Sequence, residues 1–192
     1  MAEPAATPVI ELRKVSKTFG EVHSLSGVDF AVYPVLMVAC AWEARAAGMS
    51  VFATVGLAAA GMFAWTVAEY VLHRAVFHHV PLIRDEHFAH HAAPRELIGT
   101  PTLVSVAIFA ALVYAPLVWL AGRGGASALS VGLLGGYLAY VAVHYAVHHE
   151  SSHGIAYLAR LKRHHALHHH GGTNCNFGVT TRVWDRVFGT LR

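Results

Sequence analysis

Long runs of apolar residues without a charged side chain divide the chain and predict helices that cross a lipid bilayer. Three such runs extend over residues 46–68, 97–122 and 124–143. Each is long enough to cross about 30 Å of hydrocarbon, which takes roughly 20 helical residues. A fourth run, residues 30–42, is shorter, so a tilted span, an interfacial helix and a half-buried hairpin partner all remain open for it. The pattern predicts an all-α membrane bundle with about four transmembrane helices.

Composition and charge agree with a membrane location and predict an orientation. The chain is 55% hydrophobic and only 13% charged, which is too apolar for an ordinary soluble domain of 192 residues. With four crossings, most arginine and lysine residues lie on one side, which leaves Arg45 and Arg123 on the other. The positive-inside rule then predicts that the basic side is cytoplasmic. We expect this side to meet anionic lipid headgroups; no nucleic-acid-binding module is visible, and no nucleic acid partner is expected.

Most of the sixteen histidines lie in four short bursts that begin at residues 73, 87, 144 and 164. Within the bursts, spacings of three and four residues place imidazoles on one face of a helix, and imidazole is a good ligand for iron, zinc and copper. The predicted topology brings all four bursts to the same side of the membrane, and we expect them to form a helical, histidine-rich cytoplasmic cap. A lone histidine at a membrane boundary is more often an interfacial polar group, but the joint pattern predicts a metal site.

The first part of the chain, before the apolar runs, has a strand-like pattern. Residues 9–34 resemble the opening strands of an ATP-binding cassette ATPase, but no Gly-rich loop ending in Gly-Lys-Ser/Thr follows them. Such a loop is needed to hold phosphates, so we expect a leader over residues 1–32 without a nucleotide site, which forms a small hairpin or stays loosely ordered. The main domain is expected over residues 33–192.

From residue 33 onward the sequence resembles the fatty acid hydroxylase and sterol desaturase superfamily of membrane diiron enzymes. The resemblance rests on the four histidine bursts in order and on a tail that runs Asn176-Phe-Gly-Val-Thr-Thr-Arg-Val-Trp184-Asp185-Arg-Val-Phe-Gly-Thr190. Carried over position by position, it implies ten metal ligands. These are His73, His78, His87, His90, His91, His144, His148, His165, His168 and His169.

The resemblance also implies cofactors, substrate and partners. Two iron ions would be bound, with zinc as a possible replacement in a purified sample, and dioxygen would be used to hydroxylate or desaturate an unactivated C–H bond of a lipid. Electrons are expected from a separate ferredoxin, cytochrome or reductase, because no heme-binding cytochrome domain is visible in the sequence. A fatty acyl chain is the favoured substrate, and a carotenoid or sterol is the alternative. No catalytic residue is expected beyond the metal ligands.

Four carboxylates are candidates for contacts around the metal, because a bound imidazole usually donates its second N–H to a carboxylate or carbonyl. They are Asp85, Glu86, Glu150 and Asp185. Tyr140, four residues before His144, lies on the same helix face, so contact with substrate, contact with an imidazole and a role as interfacial anchor all remain open for it. The histidines that flank the implied ligands are expected to be surface groups or supporting groups. They are His79, His149, His164 and His170.

Two other classes of protein would also carry histidines in a membrane. A metal transporter would need ligands along a path through the middle of the bilayer, and a heme-bearing electron carrier would need axial histidine pairs within its spans. The bursts lie instead at one predicted interface, which favours a fixed metal site.

Overall fold

A computed structural model of the chain describes residues 17–19, 22–24, 31–96, 100–171 and 174–192. Two short strands, β1 (Lys17–Phe19) and β2 (Val22–Ser24), pair antiparallel. Most of the expected leader, residues 1–32, lies outside the described residues. All other regular secondary structure in the described residues is helical.

Within these ranges, seven α-helices follow the strands. They are α1 (Val32–Ala46), α2 (Val51–Val71), α3 (Ile83–Ala92), α4 (Thr102–Phe109), α5 (Ala115–His149), α6 (Ala156–His170) and α7 (Val183–Val187). A π-helical turn, Leu72–Phe77, continues α2 without a break, and a second one, Ala110–Tyr114, joins α4 to α5.

Two continuous helical stretches in the described chain are long and apolar enough to cross a membrane. They extend over Val51–Phe77 and Thr102–His149. Large apolar side chains on them point outward: Phe52 is 91% exposed and Trp119 is 85% exposed. Such a surface is unfavourable in water but suits contact with lipid tails, so the chain is a membrane protein.

The first long helix differs in its bounds from the apolar run of residues 46–68. Residue 46 ends α1, and Gly48 then turns the chain with a φ of 83°. Ser50 caps the start of α2 by accepting a hydrogen bond from the Ala53 N–H. At its far end the helix passes Glu69 and continues through the π turn. The cost of burying this acid is offset because its carboxylate accepts three hydrogen bonds from residues 174–192, called the C-terminal segment below.

The second long stretch is bent back on itself at Gly122, whose φ of 69° and ψ of 169° are not helical. The Tyr114 and Ser127 hydroxyls on either side of the bend are 2.9 Å apart. In a straight helix, thirteen residues would separate them by about 20 Å along the axis. The two arms of this stretch are therefore antiparallel, and the bend lies between the apolar runs of residues 97–122 and 124–143.

The α1–α2 turn and the Gly122 bend lie at the same end of the bundle. Arg123 beside the bend forms an ion pair with Glu43 in α1 at 2.9 Å, and Gly124 packs against Ala47 and Met49. Since α2 and the second arm both run away from this end, their histidines emerge together at the opposite end.

Close packing of α2 against the second arm uses glycine on both helices. A Cβ added at Gly132 would collide with the backbone carbonyl of Ala58, and one added at Gly61 would collide with that of Leu129. Small residues that let helix backbones approach are typical of helix pairs in membranes. This contact sets the spacing between the two helices that carry His73 and His144.

Candidate metal centre

The structure brings the ten histidines of the sequence prediction into two compact groups of five, and the ligand atoms of each group lie within 4.8 Å of one another. The first histidine group consists of His73, His78, His87, His91 and His168. The second histidine group consists of His90, His144, His148, His165 and His169.

The π-helical turn at the end of α2 explains how His73 and His78 share one group. Residues five apart diverge on an α-helix, but the wider π turn returns the chain after about five residues, because its hydrogen bonds join residue i to i+5. His73 lies inside the turn and His78 follows its last residue. Their imidazole rings are roughly parallel, with centroids 5.4 Å apart.

Ordinary α-helical spacing positions the remaining histidines. His87 and His91 are four apart on α3, His144 and His148 on α5, and His165 and His169 on α6. His90 on α3 reaches the second group, and its Nε2 atom is buried without a hydrogen-bond partner in the protein.

The Nε2 atoms of neighbouring imidazoles point at one another. In the first group, the His73–His87 and His78–His168 separations are 3.1 and 3.2 Å. In the second group, His165 is 2.9 Å from His148 and 3.1 Å from His144. Nitrogens that share one ion at about 2.1 Å lie about 3 Å apart when the angle between them is near 90°, so the donor set fits one metal ion in each group.

Burial keeps these imidazoles in the neutral form that binds metals. Removal from water, and then the neighbouring imidazoles, lowers the pKa of His78 and His90 to about 4 and that of His91 to about 3. The pKa of His165 is also well below its ordinary value, for the same reasons. The nitrogen lone pairs are therefore free at neutral pH, as coordination requires.

Backbone carbonyls of the C-terminal segment orient two histidines of the first group. The Nδ1 atom of His73 is 2.5 Å from the Phe177 carbonyl oxygen, and that of His168 is 2.8 Å from the Cys175 carbonyl oxygen. When Nδ1–H donates to a carbonyl, the tautomer is fixed and Nε2 is left as the acceptor that faces the group. Sequence reasoning named carboxylates for this role and missed the two carbonyls, which no residue type signals.

Asp185 holds the turn that presents one of these carbonyls. Its buried carboxylate accepts hydrogen bonds from the N–H groups of Phe177 and Gly178 and from the Thr190 hydroxyl, and it also lies 3.0 Å from His164 Nε2. Burial alone would raise the pKa of Asp185, but these hydrogen bonds outweigh it and lower the pKa. Asp185 therefore acts on the first group through the backbone.

Glu69 fixes the same segment to α2. Its carboxylate accepts hydrogen bonds from the Val179 N–H at 2.6 Å and from both the N–H and the hydroxyl of Thr180 at 2.8 and 2.6 Å. The acid lies four residues before His73 and is buried. These hydrogen bonds therefore fix the position of the Phe177 carbonyl relative to His73.

The other candidates for supporting contacts lie in different places. The Asp85 carboxylate forms an exposed ion pair with Arg84 at 2.8 Å, and Glu86 is exposed. Glu150 contributes its carbonyl, which accepts a hydrogen bond from Lys162 Nζ. The Tyr140 ring lies 5.4 Å from that of His144 and 6.2 Å from that of Trp65, so it flanks the second group on its membrane side.

The four flanking histidines are outside both groups. His79, His149 and His170 are exposed, and His149 stacks on Tyr145. His164 is buried and bonds to Asp185.

Comparison with known proteins agrees with this geometry. The model of a family described as fatty acid hydroxylase matches residues 58–190. The chain is 36% identical over 149 residues to a fatty acid 2-hydroxylase of Rattus norvegicus, covering 71% of this chain and 40% of the relative. It is 35% identical over 147 residues to the ceramide very long chain fatty acid hydroxylase SCS7 of Saccharomyces cerevisiae, covering 68% of this chain and 36% of that protein.

A solved structure also resembles the chain. It is described as full-length scs7p with only the hydroxylase domain visible, and it superposes with a TM-score of 0.75 at 29% identity over 84% of this chain and 64% of that one. The chain spans about two fifths of the length of the curated relatives named above. The match to the family covers both histidine groups and the C-terminal segment that supports them, and on this basis the chain belongs to the fatty acid hydroxylase family.

Proposed function

We propose that the protein is a membrane-bound lipid hydroxylase with a non-heme diiron centre. The observation that carries this proposal is the pair of five-histidine groups, with converging Nε2 atoms, at one end of the apolar helices. Histidine nitrogens with no cysteine ligand suit iron or zinc. The family to which the chain belongs makes an oxygenase the natural assignment.

The first histidine group would hold one iron ion and the second group the other. When bound, the two ions supply the activation of dioxygen that lets an unreactive C–H bond be oxidised. The protein orients the ligands through the carbonyls of Phe177 and Cys175, which receive the Nδ1–H groups of His73 and His168. The cluster is largely buried, which restricts water at the reacting carbon.

The substrate proposed is a fatty acyl chain, with attack at carbon 2. The relatives include dihydroceramide fatty acyl 2-hydroxylase of Arabidopsis thaliana, 34% identical over 155 residues. Carbon 2 of an acyl lipid lies just below the headgroup, and the histidine groups lie at the end of the membrane helices. The depth of carbon 2 in the bilayer thus matches the depth of the histidine groups. The acyl chain of the substrate would enter sideways from the lipid.

A row of aromatic side chains leads from the second group into the bundle. Tyr140 flanks His144, Trp65 lies next to Tyr140, and Tyr137 lies 5.4 Å from Trp65. We propose that this row forms one wall of the acyl path and keeps water away from it. Desaturation in place of hydroxylation would use the same wall.

The proposed topology has four crossings with the histidine groups on the cytoplasmic side. It is supported by the antiparallel run of α1, α2 and the two arms that meet at Gly122 and by the rarity of basic residues at the opposite end. Two electrons per turnover would come from a separate donor protein that docks on the cytoplasmic cap.

Whole-cell lipid analysis tests the activity directly. Cells that express the chain with iron should accumulate acyl lipids heavier by one oxygen, and the added atom should come from ¹⁸O₂. The His168→Ala variant removes a buried ligand candidate and should abolish this product, while His170→Ala removes an exposed histidine outside both groups and should leave it. No oxygenated acyl lipid despite full iron loading, or equal product from both variants, would refute the proposal.

The same extracts address the alternatives. Oxygenated sterols or carotenoids without oxygenated acyl chains would favour the other substrate classes of the superfamily. Uptake of metal into cells without any lipid product would favour a transporter, although both histidine groups lie at one end of the helices and not along a path through them.

Cysteine labelling tests the orientation. Ala47→Cys lies in the exposed α1–α2 turn, and Ser151→Cys lies just after the last histidine of α5. A maleimide that cannot cross membranes should label the first variant on intact cells and the second only after lysis. The reverse pattern would place the histidine groups outside the cytoplasm.

A further inference from the structure

A basic cavity lies between α6 and the C-terminal segment, on a side of α6 that the metal centre does not use. It has a volume of about 340 Å³. Its walls are formed by Arg160, Arg163, His164, Leu167, Arg182 and Arg192. The α6 residues that line it follow the spacing of one helical face, whereas His165, His168 and His169 project from another.

Four arginines line this cavity, and one of them, Arg192, also donates a hydrogen bond to the Gly171 carbonyl. Within the described ranges, none of the four arginines forms an ion pair with a carboxylate. The buried carboxylate of Asp185 contacts His164 of the cavity wall, and its oxygens already accept hydrogen bonds from the turn at Phe177–Gly178 and from Thr190. The Nε atom of Arg182 is buried and has no hydrogen-bond partner among the residues that the structure describes. Like charges held together in this way favour the binding of an anion.

The shape and chemistry of the cavity fit a phosphate group. Guanidinium forks match phosphate oxygens with pairs of parallel hydrogen bonds. A concave volume of this size admits a phosphate with part of the group attached to it, whereas the docking of a folded acidic protein needs a broad surface.

The neighbourhood of the cavity indicates where the phosphate comes from. Arg182 directly precedes α7, whose Trp184 donates a hydrogen bond to Thr66 on α2 and packs against Phe63. The same short helix exposes Val183 and Val187, and Phe188 follows it. Exposed apolar side chains beside arginines, attached to the side of a membrane helix, are typical of the headgroup level of a bilayer.

We propose that this cavity binds a phosphate group, and that the phosphate belongs to an anionic phospholipid of the surrounding membrane. The site is separate from the metal centre and does not depend on the proposed hydroxylase activity. Arg160 and Arg163 supply the α6 side of the site, and Arg182 and Arg192 supply the side formed by the C-terminal segment.

The test uses the full chain in nanodiscs of phosphatidylcholine, with and without phosphatidylglycerol, and measures the midpoint of thermal unfolding. The test variant is Arg160→Gln/Arg163→Gln, which changes two exposed α6 residues whose side chains form no hydrogen bond with the described residues. The control is Arg95→Gln/Arg186→Gln, which removes the same charge from exposed arginines outside the cavity.

Phosphatidylglycerol should raise the unfolding midpoint of the wild type and of the control, and should raise that of the test variant much less. In a titration of detergent-solubilised protein with a short-chain phosphatidylglycerol, the test variant should bind at least about tenfold more weakly, because each guanidinium–phosphate hydrogen bond lost is a charged one. Inorganic phosphate is titrated in a parallel arm in phosphatidylcholine nanodiscs.

Stabilisation by phosphatidylglycerol alone supports the lipid source. Stabilisation by inorganic phosphate that depends on Arg160 and Arg163 supports the phosphate site but assigns it to a soluble ligand. If neither probe binds, the cavity is not an anion site and the proposal is overturned. If the test and control variants respond equally, surface charge in general and not this cavity attracts the anion, and the proposal is overturned as well.

Discussion

Glu69 and Thr180 are separated by 111 residues in sequence but form two hydrogen bonds, from the Thr180 N–H and hydroxyl to the Glu69 carboxylate. Together with the bond from the Val179 N–H, they attach the C-terminal segment to the end of α2. This attachment lies next to the first histidine group, since His73 follows Glu69 by about one helical turn.

Replacement Glu69→Leu should destabilise the protein and weaken the first histidine group. The change removes both carboxylate oxygens, so the N–H groups of Val179 and Thr180 lose their acceptor, and each buried N–H left without a partner costs about 1–3 kcal/mol. We expect a lower unfolding midpoint and a lower iron content in anaerobically purified protein. Glu43→Leu, at the other end of the bundle, breaks a partly exposed ion pair and should change both quantities little; equal effects would contradict this role for Glu69.

Replacement Asp185→Asn should remove metal from one group in preference to the other. The change weakens the turn at Phe177 and Gly178 that presents a carbonyl to His73, whereas the second group makes no contact with Asp185. Iron content per chain should therefore fall from about two toward one, with loss of the spectroscopic coupling between the ions. Asp85→Asn, in an exposed ion pair, is the matched control. Retention of two coupled ions by Asp185→Asn would show that the turn is not needed.

Replacement Gly132→Ala should disrupt the pairing of α2 with α5. The added Cβ collides with the Ala58 carbonyl, and excess volume in a packed interface costs about 1–3 kcal/mol. The yield of folded protein in detergent should fall. Gly56→Ala adds the same methyl group to α2 where nothing lies within 4 Å, so it should be neutral or slightly stabilising. Similar behaviour of the two variants would exclude close packing at Gly132.

Acid should destabilise the metal-free protein well before carboxylates titrate. The folded chain lowers the pKa of His78 and His90 to about 4, while the unfolded chain binds protons on these residues below about pH 6.5. The unfolded state therefore gains protons first, and stability falls as pH decreases from about 6.5 toward 4. The unfolding midpoint of chelator-treated protein should drop over this range, and a flat profile would contradict buried neutral imidazoles.

The set of ten histidines was implied by the family resemblance, and spacings of three and four, which are local properties of a helix, explain why several of these imidazoles share a helix face. The family resemblance is confirmed by the comparisons. The π turn that brings His78 back to His73 could not be predicted, since it depends on tertiary contacts at the end of α2. The same holds for the carbonyls of Phe177 and Cys175, because every residue has a carbonyl and only the folded chain selects two of them.

The bounds of the membrane helices were predicted less well than their existence. The hydropathy pattern ends the first span before Glu69, but the helix continues to Phe77. Hydrogen bonds from the C-terminal segment to the Glu69 carboxylate offset the cost of burying that acid. The bend at Gly122 was marked in the sequence by the single charge between two apolar runs. The Asp85 and Glu86 candidates failed to reach the histidines for a simple reason: they lie on the solvent face of α3.

The two histidine groups are interleaved along the chain. His90 belongs to the second group and His91 to the first, and His168 and His169 are divided in the opposite order. Consecutive Cα atoms are about 3.8 Å apart across a trans peptide, so each of these adjacent pairs links the two groups through one peptide bond. A movement of α3 or α6 therefore displaces ligand candidates of both groups together.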